Sequence, residues 1–529
     1  MPHLTPITPD DIRHAEKLIG LEFTDAERAF MLEKVRALRQ SYEALRELAF
    51  PNPLLPAIRF DPELLGEAQP PVYPLAREPA PPYPPPADQE EIAFASLSQL
   101  AFWLRRGEVT SVGLTELYLH RLKRFDPQLH CVITLTEERA MAQARRADEE
   151  LRSGVDRGPL HGIPWGAKDL LAVRGYPTTW GANPYRDQII DEDATVVTRL
   201  DDAGAVLVAK LSMGALAWGD VWFGGTTRTP WNPEEGASGS SAGSGAATAA
   251  GLVGFSIGTE TWGSIVSPAT RNGVTGLRPT FGRVSRHGAM ALSWTMDKIG
   301  PMGRSAEDCA LVFAAIYGRD DRDPTTVDKP FPWPPQLDLR GLRLGYLAED
   351  FQKDYRGKAN DARALEVFRE LGVELVPIQL PDYPIDALSF ILFAEAAAAF
   401  DELTRSHRDD ELVRQVEDAW PNFFRLSRLV PAVEYIQANR VRTRLMAAMR
   451  ELFTQVDAYI GPSLEGDNLL LTNLTGHPSL TLPTGLAEDG LPAAITLTGR
   501  LFDEATILAL GRAFQRETDF HRARPPMDL

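Results

Sequence analysis

The stretch 236-GASGSSAGSGAATAAG-251 carries no charge, no aromatic residue and almost nothing larger than alanine or serine. It can be a flexible linker, a phosphate-binding loop or a catalytic loop that runs into a buried helix. A phosphate loop needs a lysine followed by Ser or Thr after its second glycine, and 239-GSSAGSGAA-247 has no lysine. A linker is flanked by polar sequence, whereas this stretch runs into ATAAGLVGFSIGTETWGS, an apolar, small-residue segment that must be buried. Small residues let backbones approach closely, and glycine adopts dihedrals that other residues avoid. The stretch therefore reads as a packed loop whose hydroxyls sit beside a second serine-bearing turn, 258-GTETWGSIVSP-268.

Outward from this loop, helical and strand patterns alternate from about residue 90. LSQLAFWLRRGEV and LTELYLHRLKRF have helical spacing, while CVITL, AVLVAKL, LRLGYL, VELVPIQL and DAYIGP read as buried strands. The interleaving predicts an α/β fold with a largely buried sheet. Residues 355–450 read as a mainly helical cover within a catalytic domain spanning 90–529, and no internal repeat is visible. Upstream, Thr8, Pro9 and Asp11 mark a helix start, and 24-TDAE-27 is a capping box ahead of an amphipathic run. Residues 1–50 are thus expected to form an N-terminal helical extension. The proline-dense segment 51–89 is expected to be an extended strap or linker lying on the main body.

The 529 residues are 44% apolar and 24% charged, as in ordinary globular proteins. A formal charge of −18 argues against nucleic acid as the main partner, since phosphate-binding surfaces need a basic excess. Two distant cysteines, Cys131 and Cys309, make no disulfide framework and suit a reducing cytoplasm. No signal peptide and no run of eighteen apolar residues is seen, so no membrane span is expected. There is no HExxH, no CxxC pair and no dinucleotide fingerprint after a strand, so neither a metal nor a cofactor is expected.

A buried serine is a poor nucleophile until a base takes its proton. His161, His287 and His477 lie in informative segments, but none has the surroundings of a triad member. Lysine is the other available base. It is protonated at neutral pH with a pKa of about 10.4, unless an apolar, tightly packed setting lowers that value by several units. Lys168, in 161-HGIPWGAKDLL-171, has such a setting.

GIPWGAKD, then 193-DATVVTRLDDAGAVLVAKLSM-213, the serine-glycine stretch and GTETWGSIVSPATRNGVTGLRPT occur in that order. They are followed by 282-GRVSRHGAMALSWTMDKIGPMGRS-305 and 475-TGHPSLTLPTG-485. Over roughly residues 90–525 the chain resembles the amidase signature family. The resemblance implies a central mixed, twisted β-sheet covered by helices on both faces, with the N-terminal helical extension outside the shared core. It also implies a Ser–Ser–Lys triad. Ser264 is the nucleophile, Ser240 the bridging serine after a cis peptide bond, and Lys168 the base that starts neutral. The oxyanion hole falls to the backbone N–H groups of Thr261, Trp262, Gly263 and Ser264. Ser241 stands between relay and loop support, and Ser244 reads as a backbone hydrogen-bonding residue.

The sequence departs from the family pattern in three places. The family usually has Asp-x-Gly-Gly-Ser where this chain reads 260-ETWGS-264, so Glu260 has a longer arm and Trp262 replaces a glycine. Val266 stands where the A-type component of tRNA-dependent amidotransferases keeps an arginine. Seven of the ten tryptophans lie between Trp165 and Trp294. This concentration suggests an apolar or aryl substrate, with Trp165, Trp218, Trp262 and His477 as candidate pocket residues. The expected function is therefore a stand-alone serine amidohydrolase that cleaves C–N bonds of apolar or aryl carboxamides through an acyl-enzyme. Ester and carbamate (urethane) hydrolysis are expected side activities. The expected partners are small-molecule amides, esters or carbamates, without nucleic acid, and the N-terminal helices are a candidate homodimer element or lid. The alternative is the A-type subunit of a tRNA-dependent amidotransferase complex.

Overall fold

Fifteen strands are found in the computed structural model, which describes residues 6–48, 51–76 and 82–527. The expected extension, strap and catalytic domain also take in residues 1–5, 49–50, 77–81 and 528–529, which lie outside the described residues. In chain order the strands are β1 (Val132–Leu135), β2 (Pro164–Lys168), β3 (Val206–Leu211), β4 (Val221–Trp222) and β5 (Gly225–Thr226). Next come β6 (Arg228–Thr229), β7 (Asn232–Gly236), β8 (Phe255–Glu260), β9 (Thr275–Arg278) and β10 (Lys298–Gly303). The last five are β11 (Arg343–Leu347), β12 (Glu374–Ile378), β13 (Ala458–Pro462), β14 (Ser479–Leu486) and β15 (Pro492–Gly499). β4 pairs with β5 and β6 with β7 as separate ribbons.

The other eleven strands form one sheet in the order β1-β3-β2-β8-β10-β9-β14-β15-β13-β11-β12. β2 is parallel to both β3 and β8, and β11 to both β12 and β13; the remaining neighbours are antiparallel. This is the mixed α/β sheet that the family resemblance implies. Every residue of β2, β3, β8 and β10 is buried, so both faces of this half are covered. That is why these strands read as continuous apolar or small-residue runs rather than as alternating patterns. Helices Ser111–Leu129 and Glu137–Arg152 pack on β3, and Ala306–Ile316 and Glu504–Glu517 pack near the β9, β10, β14 and β15 region. Within the helical cover of residues 355–450, β12 closes one edge of the sheet.

The N-terminal residues form two helices, Pro9–Ile19 and Asp25–Arg46, opened by capping boxes at Thr8–Asp11 and Thr24–Glu27. The second helix buries none of its residues, and Phe30 is 86% exposed. Residues 51–76 differ: they run along the body and are stapled to it. Phe60 lies 3.9 Å from the Arg442 guanidinium and edge-on to Phe281. The Tyr73 hydroxyl pairs with Thr506 at 2.7 Å, and the Gln336 N–H donates to the Pro74 carbonyl at 2.7 Å. Cys131 and Cys309 are both free and buried. Among the described residues no helix is long and apolar enough to cross a membrane.

Candidate active site

Lys168 ends β2, flanked by β3 on one side and β8 on the other, and its side chain is fully buried. The ammonium nitrogen meets four neutral oxygens. It lies 2.8 Å from Ser240 Oγ, 3.0 Å from Ser241 Oγ, 2.9 Å from Thr259 Oγ1 and 3.4 Å from the Thr259 carbonyl. No carboxylate is among these contacts. Burial pulls the Lys168 pKa down to about 7, and the nearby charges of Asp297 and Glu260 offset only part of the fall. Desolvation of a cation outweighs partly screened attraction when no carboxylate touches it.

The serine-glycine stretch supplies two of these oxygens. It leaves β7, makes a cis peptide bond between Gly239 and Ser240, and enters the wholly buried helix Ala242–Ala249. Its poverty of side chains is steric: a Cβ on Gly239 would lie 1.8 Å from the Gly219 carbonyl oxygen, and one on Gly214 would lie 2.0 Å from it. Ser241 ties the loop to β8, donating to the Thr259 carbonyl and accepting from the Thr259 N–H, each at 3.1 Å. Ser244 donates to the Ile257 carbonyl at 3.1 Å. The Ser241 N–H donates to the Ser264 carbonyl at 3.2 Å, which joins this loop to the second serine-bearing turn.

That turn, 261–264, follows β8 directly. The Glu260 carboxylate holds it from beneath: Oε2 accepts from the Ile265 and Val266 N–H groups at 2.8 and 2.9 Å. Oε1 accepts from Arg278 at 2.6 Å and Asn473 at 2.8 Å. Burial pushes this carboxyl up, but Arg278 and the three other donors overcome it and hold the pKa at about 2. The Thr261 hydroxyl donates to Asp297 Oδ1 at 2.6 Å, and Asp297 Oδ2 accepts from the Leu292 and Ser293 N–H groups at 2.8 and 3.0 Å. Among the described residues, the N–H groups of Trp262, Gly263 and Ser264 donate to no protein acceptor. Ser264 is nearly buried, and no hydrogen bond joins its hydroxyl to that of Ser240. Lys168, Ser240 and Ser241 are thus bonded together, and Ser264 adjoins them through its backbone.

The candidate pocket residues scatter. Trp165 is wholly buried and stacked on Phe255, so it lines no opening. His477 is buried against Phe453 and bonded to Thr475; burial, reinforced by the Arg278 charge, lowers its pKa to about 3. Trp218 packs on Trp420 and Phe423. Trp262 is 38% exposed, so its ring does not pack in the core. A cleft does open beside Thr259 and Thr261, with Leu170, Met290, Trp294 and Ile299 in its walls. Sequence reasoning had not assigned Thr259, Asp297 or Trp294 to the site. Thr259 carried a signal, since it lies in the second serine-bearing stretch, 258-GTETWGSIVSP-268.

One family model, described as Amidase, matches residues 113–508. The A component of glutamyl-tRNA(Gln) amidotransferase from Roseiflexus sp. (strain RS-1) is 37% identical over 484 residues, covering 82% of this chain and 98% of that protein. Among solved structures, native peptide amidase from Stenotrophomonas maltophilia superposes with a TM-score of 0.71 at 31% identity, covering 82% of this chain and 98% of that one. An amidase family protein from Bacillus anthracis str. Ames gives 0.75 at 26% identity, covering 83% and 93%.

The curated relatives correct two expectations. A stand-alone hydrolase of apolar or aryl amides, with ester and carbamate side activity, gives way to the amidotransferase alternative. That expectation leaned on whole-chain charge, on Val266 and on the N-terminal extension. Net charge is a sum that leaves local patches undetermined, and Val266 is one position against identity along nearly the whole relative. The expectation of small-molecule partners without nucleic acid falls for the same reason, because these relatives are named as one subunit of a glutamyl-tRNA(Gln) amidotransferase. With its mixed sheet, its buried lysine among serines and this match over residues 113–508, the chain belongs to the amidase signature family.

Proposed function

We propose that this chain is the A-type subunit of a tRNA-dependent amidotransferase, releasing ammonia from a primary carboxamide for transfer to aminoacyl-tRNA held by companion subunits. The observation that carries the reading is the 37% identity to the A component of the Roseiflexus amidotransferase along 98% of that protein. In the proposed chemistry Ser264 Oγ attacks the carboxamide carbon. Its proton passes to Ser240, and the Ser240 proton passes to neutral Lys168. Negative charge forming on the carbonyl oxygen is met by the undonated N–H groups of the 262–264 turn. Lys168 then returns a proton through Ser240 to the nitrogen, the C–N bond breaks and ammonia leaves. Water cleaves the Ser264 ester by the reverse route.

The 2.8 Å Lys168–Ser240 bond and the lowered lysine pKa support these roles. Catalytic hydrogen bonds are commonly loose before substrate binds and tighten in the complex, which accounts for the unbonded Ser264 hydroxyl. Glu260 and Asp297 act as positioning residues for the turn. Ammonia release from glutamine, measured with and without companion subunits and glutamyl-tRNA, tests the proposal. Release should fall by about 10³-fold or more in Ser264→Ala and rise when the companions are present. Unchanged release in that variant, or failure to associate with the companions on co-expression, overturns it.

A further inference from the structure

The strap makes one contact with the body that bears on the site. Asn52 grips residue 291 from both sides: its Nδ2 donates to the Ala291 carbonyl at 2.9 Å and its Oδ1 accepts from the Ala291 N–H at 2.6 Å. Nδ2 also reaches the Ala399 carbonyl at 3.3 Å. The next two N–H groups, of Leu292 and Ser293, are those that Asp297 holds, and Asp297 holds the Thr261 hydroxyl at the start of the nucleophile turn. A hydrogen-bonded path therefore runs from the strap to that turn. Pro53 and Leu55 face the same cleft as Thr259 and Thr261. These strap residues lie upstream of residue 113, where the family match begins.

We propose that strap residues 52–55 form a wall of the substrate cleft, with Leu55 setting the size of group admitted and Asn52 as the positioning residue that keeps the wall in register with the turn. The proposal rests on the assignment of Ser264 as nucleophile. An apolar side chain in a cleft wall discriminates by volume, and one or a few methylenes change relative rates by about 10-fold or more. The shared core thus supplies the reacting groups, and a segment outside it trims the space in front of them.

The test uses two fluorophosphonates, one with short alkyl groups and one with a long-chain or aryl group, on the whole chain. Ser264 Oγ bonds to phosphorus, the P–F bond breaks, fluoride leaves and the serine proton passes to the relay. Labelling rates are read by intact-mass spectrometry. Leu55→Trp should slow the bulky probe about 10-fold relative to the small one, and Leu55→Ala should shift the ratio the opposite way. Asn52→Ala should move the ratio in the direction of Leu55→Ala. Asn52→Asp, which keeps the acceptor for the Ala291 N–H, should restore it in part. Leu55 lies on the half-exposed strap, so these variants leave the core intact. If every variant is labelled with the wild-type ratio, the strap proposal is wrong while the nucleophile assignment stands. If neither probe labels wild type, both fail, because the wall then faces no nucleophile.

Discussion

Lys168 and Lys210 stand on the neighbouring parallel strands β2 and β3, and neither touches solvent. Their company differs. Lys210 lies 2.8 Å from Asp169 Oδ1 and also donates to the Pro177 carbonyl and Thr178 hydroxyl, each at 2.6 Å. Lys168 has three hydroxyls and one carbonyl. Burial lowers the pKa of both, but at Lys210 the touching carboxylate pulls back toward the charged form. The contrast teaches that burial alone does not make a lysine a base. At Lys168 burial acts with no contacting anion to oppose it, while the buried ion pair one strand away serves to hold the frame.

The largest effect that can break this contrast is on turnover. Lys168→Met should lower ammonia release by about 10³-fold while the denaturant midpoint stays near wild type, since no buried partner charge is stranded. Substantial residual turnover would remove Lys168 from the chemistry. Next in size, Lys210→Met should cost about 3–5 kcal/mol, because it leaves Asp169 buried without its cation. Urea unfolding followed by far-UV circular dichroism measures this, and an unchanged midpoint would make the two lysines equivalent. The smallest effect concerns pH. With its pKa lowered to about 7, Lys168 is mostly neutral above that value and mostly charged below it. kcat/KM should therefore rise with pH up to about 7 and then level, falling about tenfold per unit on the acid side. A rise that continues toward pH 10 would mean an unperturbed base.

Lys168 was legible because its apolar flanks lie next to it in the chain, and the serine loop because sixteen small residues have few other uses. The strands CVITL and AVLVAKL were legible as local apolar runs. β9, β14 and β15 were not read as strands, and their threonines and glycines are buried by neighbours distant in sequence. The pocket was the least legible part. A count of tryptophans says nothing about which rings face a cleft: Trp165 faces Phe255 in the core, while Trp294 faces the opening. Asp297 carried no local signal either: Leu292 and Ser293 lie in its own turn, but Thr261 reaches it only through the pairing of β8 with β10. The function was misread because net charge and a single substitution were weighed without the rest of the chain.

The collision that a methyl group on Gly239 would make with the Gly219 carbonyl has a consequence for divergence among relatives. Where the loop packs backbone against backbone, as at Gly239, substitution is all or nothing. New substrate preferences in this lineage have to be written elsewhere, and a proline-rich segment stapled over the cleft accepts changes of length and side chain without disturbing the sheet. Directed evolution of this protein would gain most by randomising residues 53–58 and leaving 236–251 as they are.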